Sequence, residues 1–193
     1  MDKLKECAMA FLKLCNVRYR CIIGRKGKKR EIILSFSPYE FLHLSGLNKL
    51  SDKPFIRGNR ERIFKNILSD MISFSMVSSS KDFHIISNRL IYLCRLEEFL
   101  DSNTIIFSYD KRNSKSSRID AKYLLQNSLD DEIAYYFISD NNYNDTLIGV
   151  SFFLKDEVDY TIAQPRWTLL YKEKLFCDTG KTEVHYDILQ GGE

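Results

Sequence analysis

The sequence predicts an α+β protein in which N-terminal helices and one basic β-hairpin pack on a C-terminal antiparallel sheet. Two observations carry this. Apolar residues recur at intervals of three and four through much of residues 1–102 and then alternate from Asn103 onward. Charge divides along nearly the same line: residues 1–122 hold 24 Lys+Arg against 13 Asp+Glu, whereas residues 123–193 hold 5 against 13. At 193 residues, 44% hydrophobic and 28% charged, the chain is long enough for a substantial core. It reads as a single domain over 1–193, mainly helical and basic over 1–102, mainly stranded over 103–193 and acidic toward the C-terminus.

Residues 2–16 predict an amphipathic helix, with Leu4, Ala8, Phe11, Leu12 and Cys15 on one side and Lys3, Lys5, Glu6 and Lys13 on the other. Residues 19–23 and 31–36 predict two strands around GRKGKKR, the tip of a hairpin. Between Arg18 and Arg30 there are seven basic residues and no acid. The best-written helix follows. Ser37 is a natural N-cap, Pro38 falls at the first helical position, Glu40 stands three residues after the cap, and Gly46 sits where a left-handed stop belongs. His43 lies inside this short helix.

A loop, LSDKPFIRGN, leads to a predicted helix over residues 60–71 with Ile63, Phe64, Ile67 and Leu68 inward. Ser79 or Ser80 then caps what reads as one long helix over 82–100, striped by Phe83, Ile86, Leu90, Leu93 and Leu100, with Arg89 on its flank. Strands are predicted over 104–109, 132–139, 147–155 and 166–176, with 182–188 as a last edge strand. Residues 119–126 fit either a strand or a short helix, and the QGGE end is expected to fray.

Composition excludes several classes of function. No apolar run approaches the ~18 residues a membrane span requires, and the chain begins on an amphipathic pattern, so a cytoplasmic protein without a membrane partner is expected. Cys7, Cys15, Cys21, Cys94 and Cys177 are scattered without a CxxC pair, and His43, His84 and His185 lie far apart. Neither a disulfide framework nor a metal site is expected, and no cofactor. The basic front points to an anionic partner, nucleic acid first, with Arg25, Lys26, Lys28, Lys29 and Arg30 of the hairpin as candidate phosphate ligands. A solvated tip, and charges that compensate where the two halves pack, are the alternatives. Trp167 and the many Tyr and Phe residues fit core and sheet faces better than base-stacking platforms.

Read in order, several segments form a pattern: Tyr19 and Phe36; Phe41-Leu42-His43-Leu44-Ser45-Gly46-Leu47; Ser80-Lys81-Asp82-Phe83, with Ile86 and Arg89-Leu90; Ser117 through Leu125; and Leu169 through Lys174. The pattern, spanning about residues 19–174, resembles the phage- and mobile-element-associated nuclease-like families of the barnase, EndoU, colicin E5/D and RelE superfamily. The resemblance implies helices packed on a four-stranded antiparallel sheet. It also implies metal-independent endoribonuclease chemistry of a toxin or phage-conflict type acting on RNA. At matched positions it implies His43, Arg89, Ser117 and Lys172 as catalytic residues, with Ser80 and Lys81 binding nucleic acid.

Those residue types suit the reaction. Cleavage of RNA by protein groups needs a base for the 2′-hydroxyl proton, an acid for the departing 5′-oxygen and a cation for the phosphorane. Histidine titrates near neutral pH, and the planar fork of arginine holds two phosphate oxygens. Each residue has a plainer alternative: His43 as a core imidazole on a carbonyl, Ser80 as a helix cap, Lys81 and Lys172 as surface lysines, Ser117 as a loop hydroxyl. The competing function is an inactive binding protein on the same scaffold, such as a phage-encoded inhibitor of a host defence system or a nucleic-acid-binding adaptor. Beside RNA, the protein partner to expect is an antitoxin or a host defence protein. Transfer of an ADP-ribose-like group ranks third, because no nicotinamide-cofactor signature accompanies it.

Overall fold

The structure is a computed structural model that describes residues 1–114 and 117–189, so the QGGE end lies outside the described residues. Helix α1 (Lys3–Leu14) begins at Asp2, whose Oδ1 accepts from the backbone N–H of Leu4 at 2.9 Å and of Lys5 at 3.1 Å. Asp2 Oδ2 accepts from Phe74 N–H at 2.8 Å, so one carboxylate starts α1 and ties down α4 (Phe74–Ser78). Between these lie β1 (Val17–Arg25), β2 (Lys28–Leu34), α2 (Pro38–Leu44) and α3 (Arg60–Leu68). The β1–β2 turn is Lys26-Gly27 with φ of 48° and 74°, the left-handed pair that a two-residue hairpin loop demands.

The predicted long helix over 82–100 is broken. It forms a 3-10 turn at Phe83–Ile85, then α5 (Ser87–Leu93) and α6 (Leu96–Asp101). The break lets two stripes bury in different places. Leu90 and Leu93 of α5 join the core beside α1, while Phe99 of α6 meets Tyr136 and Phe152 edge-on at 6.3 and 5.4 Å. Arg95 holds the corner by pairing with Glu98 at 2.7 Å and with Asp130.

The remaining strands are β3 (Ile105–Ser108), β4 (Tyr123–Leu129), β5 (Glu132–Asp140), β6 (Leu147–Leu154), β7 (Arg166–Phe176) and β8 (Thr182–Asp187). The segment that fitted either element is therefore a strand, but one that begins later, at Tyr123. The expectation of helices and a hairpin packed on a separate C-terminal sheet needs correction. The order β1-β2-β6-β5-β4-β3-β7-β8, together with β1–β7 pairing from Val17↔Phe176 to Gly24↔Thr168, closes seven strands into a barrel with β8 outside β7. The hairpin is part of that barrel. The pairing is mostly antiparallel, but the seam between β2 and β6 is parallel and rests on Leu34↔Leu147, with Ser35 Oγ and Thr146 Oγ1 2.6 Å apart. Barrel closure removes sheet edges that a four-stranded layer would leave open.

The main core joins the helices to one face of the strands, through Tyr19, Ile23, Tyr123, Leu125, Tyr136, Ile138 and Phe152 among others. A second cluster, Phe107, Tyr109, Leu124, Tyr135 and Phe137, covers the opposite face, so β4 and β5 are buried on both sides. Ion pairs set cations of the basic part against carboxylates of the acidic part: Arg20–Glu173 at 3.2 Å and Lys122–Asp140 at 2.7 Å. Part of the charge asymmetry is thus compensated inside the fold. No helix among the described residues is long and apolar enough to cross a membrane.

Candidate active site

The cap chemistry of α2 fixes where His43 stands. Glu40 Oε1 accepts from Ser37 N–H at 2.7 Å, and Pro38 occupies the first turn. Glu40 Oε2 reaches across to Gly149 N–H of β6 at 2.9 Å. Gly149 adjoins a β-bulge: Phe137 pairs with Ser151 and Ile138 with Gly149, leaving Val150 as the extra residue. One buried carboxylate therefore joins the helix carrying His43 to the bulge that turns Val150 and Ser151 outward. Burial pushes the Glu40 carboxyl up to about 8, against the two N–H donors that favour its ionised form.

Gly46 brings the second element in. Its φ of 76° is left-handed, and a Cβ there would lie 2.9 Å from Ile86 Cγ2 and 3.0 Å from Arg89 Cδ. The chain after α2 thus turns directly against α5 at Arg89. Gly46→Ala should lower stability by about 1–3 kcal/mol through backbone strain and displacement of Arg89, read as a shift of the urea midpoint. An unchanged midpoint would show that the turn relaxes freely.

Together these elements line an open groove of about 600 Å³. Its rim and floor comprise His43, Lys49 and Arg89 from the helical part, Val150, Ser151 and Phe153 from β6, and Arg118, Asp120, Asp156 and Tyr160 from outside the regular elements, with Asp156 and Tyr160 close enough to act on the Arg89 charge. The Arg89 guanidinium lies 5.0 Å over the Phe153 ring and donates from Nη1 to Ser151 Oγ at 3.5 Å. His43 is exposed, and partial burial together with the charges of Arg60 and Arg89 moves its pKa below the ordinary 6.5. Burial and Arg89 likewise lower Lys49 from 10.5. The groove thus offers a neutral imidazole beside cations, an arrangement fit to accept a proton next to a bound anion.

Of the four residues the sequence pointed to for catalysis, His43 and Arg89 meet here. Ser117 lies just behind the rim: its Oγ accepts from Tyr109 Oη at 2.6 Å and from Ile119 N–H at 3.2 Å, and its neighbours Arg118 to Asp120 line the groove instead. Lys172 is elsewhere. It is buried in β7 and its Nζ donates to Leu100 O at 2.7 Å, to Asp101 O at 3.3 Å and to Ser102 O, capping the end of α6. Ser80 is also buried, donating to the Asp52 carboxylate and accepting from Asp82 N–H at 3.1 Å, as a turn-forming serine does. Lys81 is exposed and does not line the groove.

The hairpin cations Arg25, Lys26, Lys28, Lys29 and Arg30 do not line it either. Arg30 lies 5.1 Å over the Trp167 ring and 3.4 Å from Tyr123 Oη, against the barrel wall. Sequence reasoning missed Lys49, Ser151, Asp156 and Tyr160. Lys49 follows the Gly46 stop by three residues and was legible in principle, whereas the bulge that presents Ser151 had no sequence signal. Among the described residues no group of three or more His, Cys, Asp or Glu side chains is arranged to hold a metal ion.

Over residues 3–189 the chain matches the family described as phage-Barnase-EndoU-ColicinE5/D-RelE like nuclease 4. The chain belongs to that family. No curated protein and no solved structure matches it. The matched residues run from α1 through β8, so the groove lies wholly inside them.

Proposed function

We propose that this chain is a metal-independent endoribonuclease of toxin or phage-conflict type and that the His43 groove is where it cuts. The observation that supports this most is that His43 and Arg89, from separate helices, are brought to one open groove by Gly46 and the β6 bulge. The neutral His43 imidazole removes the proton of the ribose 2′-hydroxyl, and that oxygen attacks the adjacent phosphorus. Arg89, braced on Phe153 and Ser151, holds the phosphate oxygens as charge builds on the phosphorane. The 5′-oxygen leaves with a proton from a cationic neighbour, for which the Lys49 ammonium is placed in the same lining. The products are a 2′,3′-cyclic phosphate and a 5′-hydroxyl.

Incubation of the protein with total RNA and tRNA in EDTA, with His43→Ala alongside, tests this. Cleavage should fall about 10²–10⁴-fold in the variant. Because His43 titrates below 6.5, the acid limb of the pH–rate profile should lie below that value, activity rising as the imidazole loses its proton. Absence of His43-dependent cleavage on a broad RNA panel would overturn the enzymatic reading. It would favour the second one, a binding protein on the same scaffold, whose supporting observation is that Ser117 and Lys172 stand outside the groove.

A further inference from the structure

We infer that the groove continues into a second, cationic subsite that binds the phosphates of single-stranded RNA flanking the scissile bond, with Arg57 and Arg60 as its ligands and Lys49 at the junction with the first groove. This rests on the nuclease reading of the first groove and extends it to substrate length and strandedness. A second cavity, of about 430 Å³, shares with the first Asn48 and Lys49, both from the 3-10 turn Leu47–Lys49. Its lining carries Lys49, Arg57 and Arg60 over an apolar floor of Leu42, Leu50 and Ile56, and no carboxylate. The first groove carries two, Asp120 and Asp156. The charge pattern therefore becomes more favourable to an anion on moving away from the site of cleavage.

Three further observations fit a phosphate rather than a solvated rim. Lys49, Arg57 and Arg60 form no ion pair among the described residues, and Arg57 donates to the Ser51 carbonyl at 2.5 Å. Asp82, the acid that reaches this rim, accepts from Ser51 N–H and Oγ at 3.0 and 2.6 Å. The N-terminus of α3 opens here: Asn59 caps it at Arg62 N–H, and Gly58, at φ 105°, has no atom within 4 Å of where a Cβ would be, leaving its backbone open. Arg60 also acts on His43 electrostatically, which places the two cavities within one field. A path that turns around Asn48 and Lys49 suits a single strand, whereas a stiff A-form duplex cannot enter cavities of this size.

The probes are fluorescein-labelled, non-cleavable 2′-O-methyl oligonucleotides of two, four and eight nucleotides and a blunt eight-base-pair duplex, with affinity read by anisotropy. In the natural protein, affinity should rise about tenfold or more from two to four nucleotides, and the duplex should bind no more tightly than the dinucleotide. In the Arg57→Gln/Arg60→Gln double variant that length-dependent ratio should collapse toward one. The log–log salt slope for the eight-mer should also shrink by about 1.4, the value for two lost phosphate contacts on a single strand. An equal ratio in both proteins, or tighter binding of the duplex, overturns the subsite. Length-dependent binding without any cleavage of natural RNA would keep the subsite and sink the nuclease reading. His43-dependent cleavage with no length dependence would do the reverse.

Discussion

Lys172→Ala should lower folding stability by about 3–5 kcal/mol while leaving cleavage per folded molecule intact. The ammonium is buried in β7 and donates to three carbonyls at the end of α6, those of Leu100, Asp101 and Ser102. These are the carbonyls a helix leaves without partners, and that of Leu100 is buried together with the ammonium that bonds it. Removing the donor leaves the buried Leu100 carbonyl unpaired, at about 1–3 kcal/mol, weakens the ties to Asp101 and Ser102, and empties the space of a four-carbon stem. The same helix end is fixed by Tyr19 Oη on Asp101 Oδ1 at 2.5 Å and by Lys174 on Glu97 and Asp101, so part of the loss is absorbed there. Urea unfolding gives the stability term, and RNA cleavage well below the midpoint gives the other. Lost activity at an unchanged midpoint would return Lys172 to the chemistry.

Glu40→Ala should cost about 2–4 kcal/mol near pH 6 and diminish His43-dependent cleavage in parallel. Its two oxygens accept from Ser37 N–H and Gly149 N–H in a site that is 2% exposed, beside Tyr136 Oη, which is buried without a hydrogen-bond partner. Both N–H groups would lose their acceptor, and the bulge that presents Ser151 would lose its tie to α2. The natural protein should also show a pH signature. A carboxyl raised from 4.5 to about 8 takes up a proton on folding between those values. Its contribution is therefore complete below about pH 4.5 and is lost as pH rises through about 8, with a slope of up to about 1.4 kcal/mol per pH unit. Glu40→Gln, which cannot ionise, should flatten that slope. Denaturation midpoints across pH 5–9 that run parallel in the two proteins would show that the carboxyl does not titrate in this range.

Local chemistry was legible along the chain wherever a backbone requirement has a residue signature. Ser37, Pro38, Glu40 and Gly46 mark the limits of α2 because capping and positive φ are properties of a few neighbouring residues. The strand over Arg166–Phe176 and the hairpin were visible for the same reason. The long helix over 82–100 was misleading, since one apolar stripe cannot show that its two halves bury against different partners.

What the sequence by itself determined was the family, a helical first half with a hairpin followed by strands, and the placing of His43 in a short capped helix. Only the tertiary structure decided which matched residues meet. His43 and Arg89 come together because Gly46 admits α5 against its Cα, a contact between positions more than forty residues apart. Lys172 is carried away from them because barrel closure turns its side chain toward the end of α6. Proximity of this kind depends on long-range pairing and close packing, which leave no periodicity in the chain for a sequence to display.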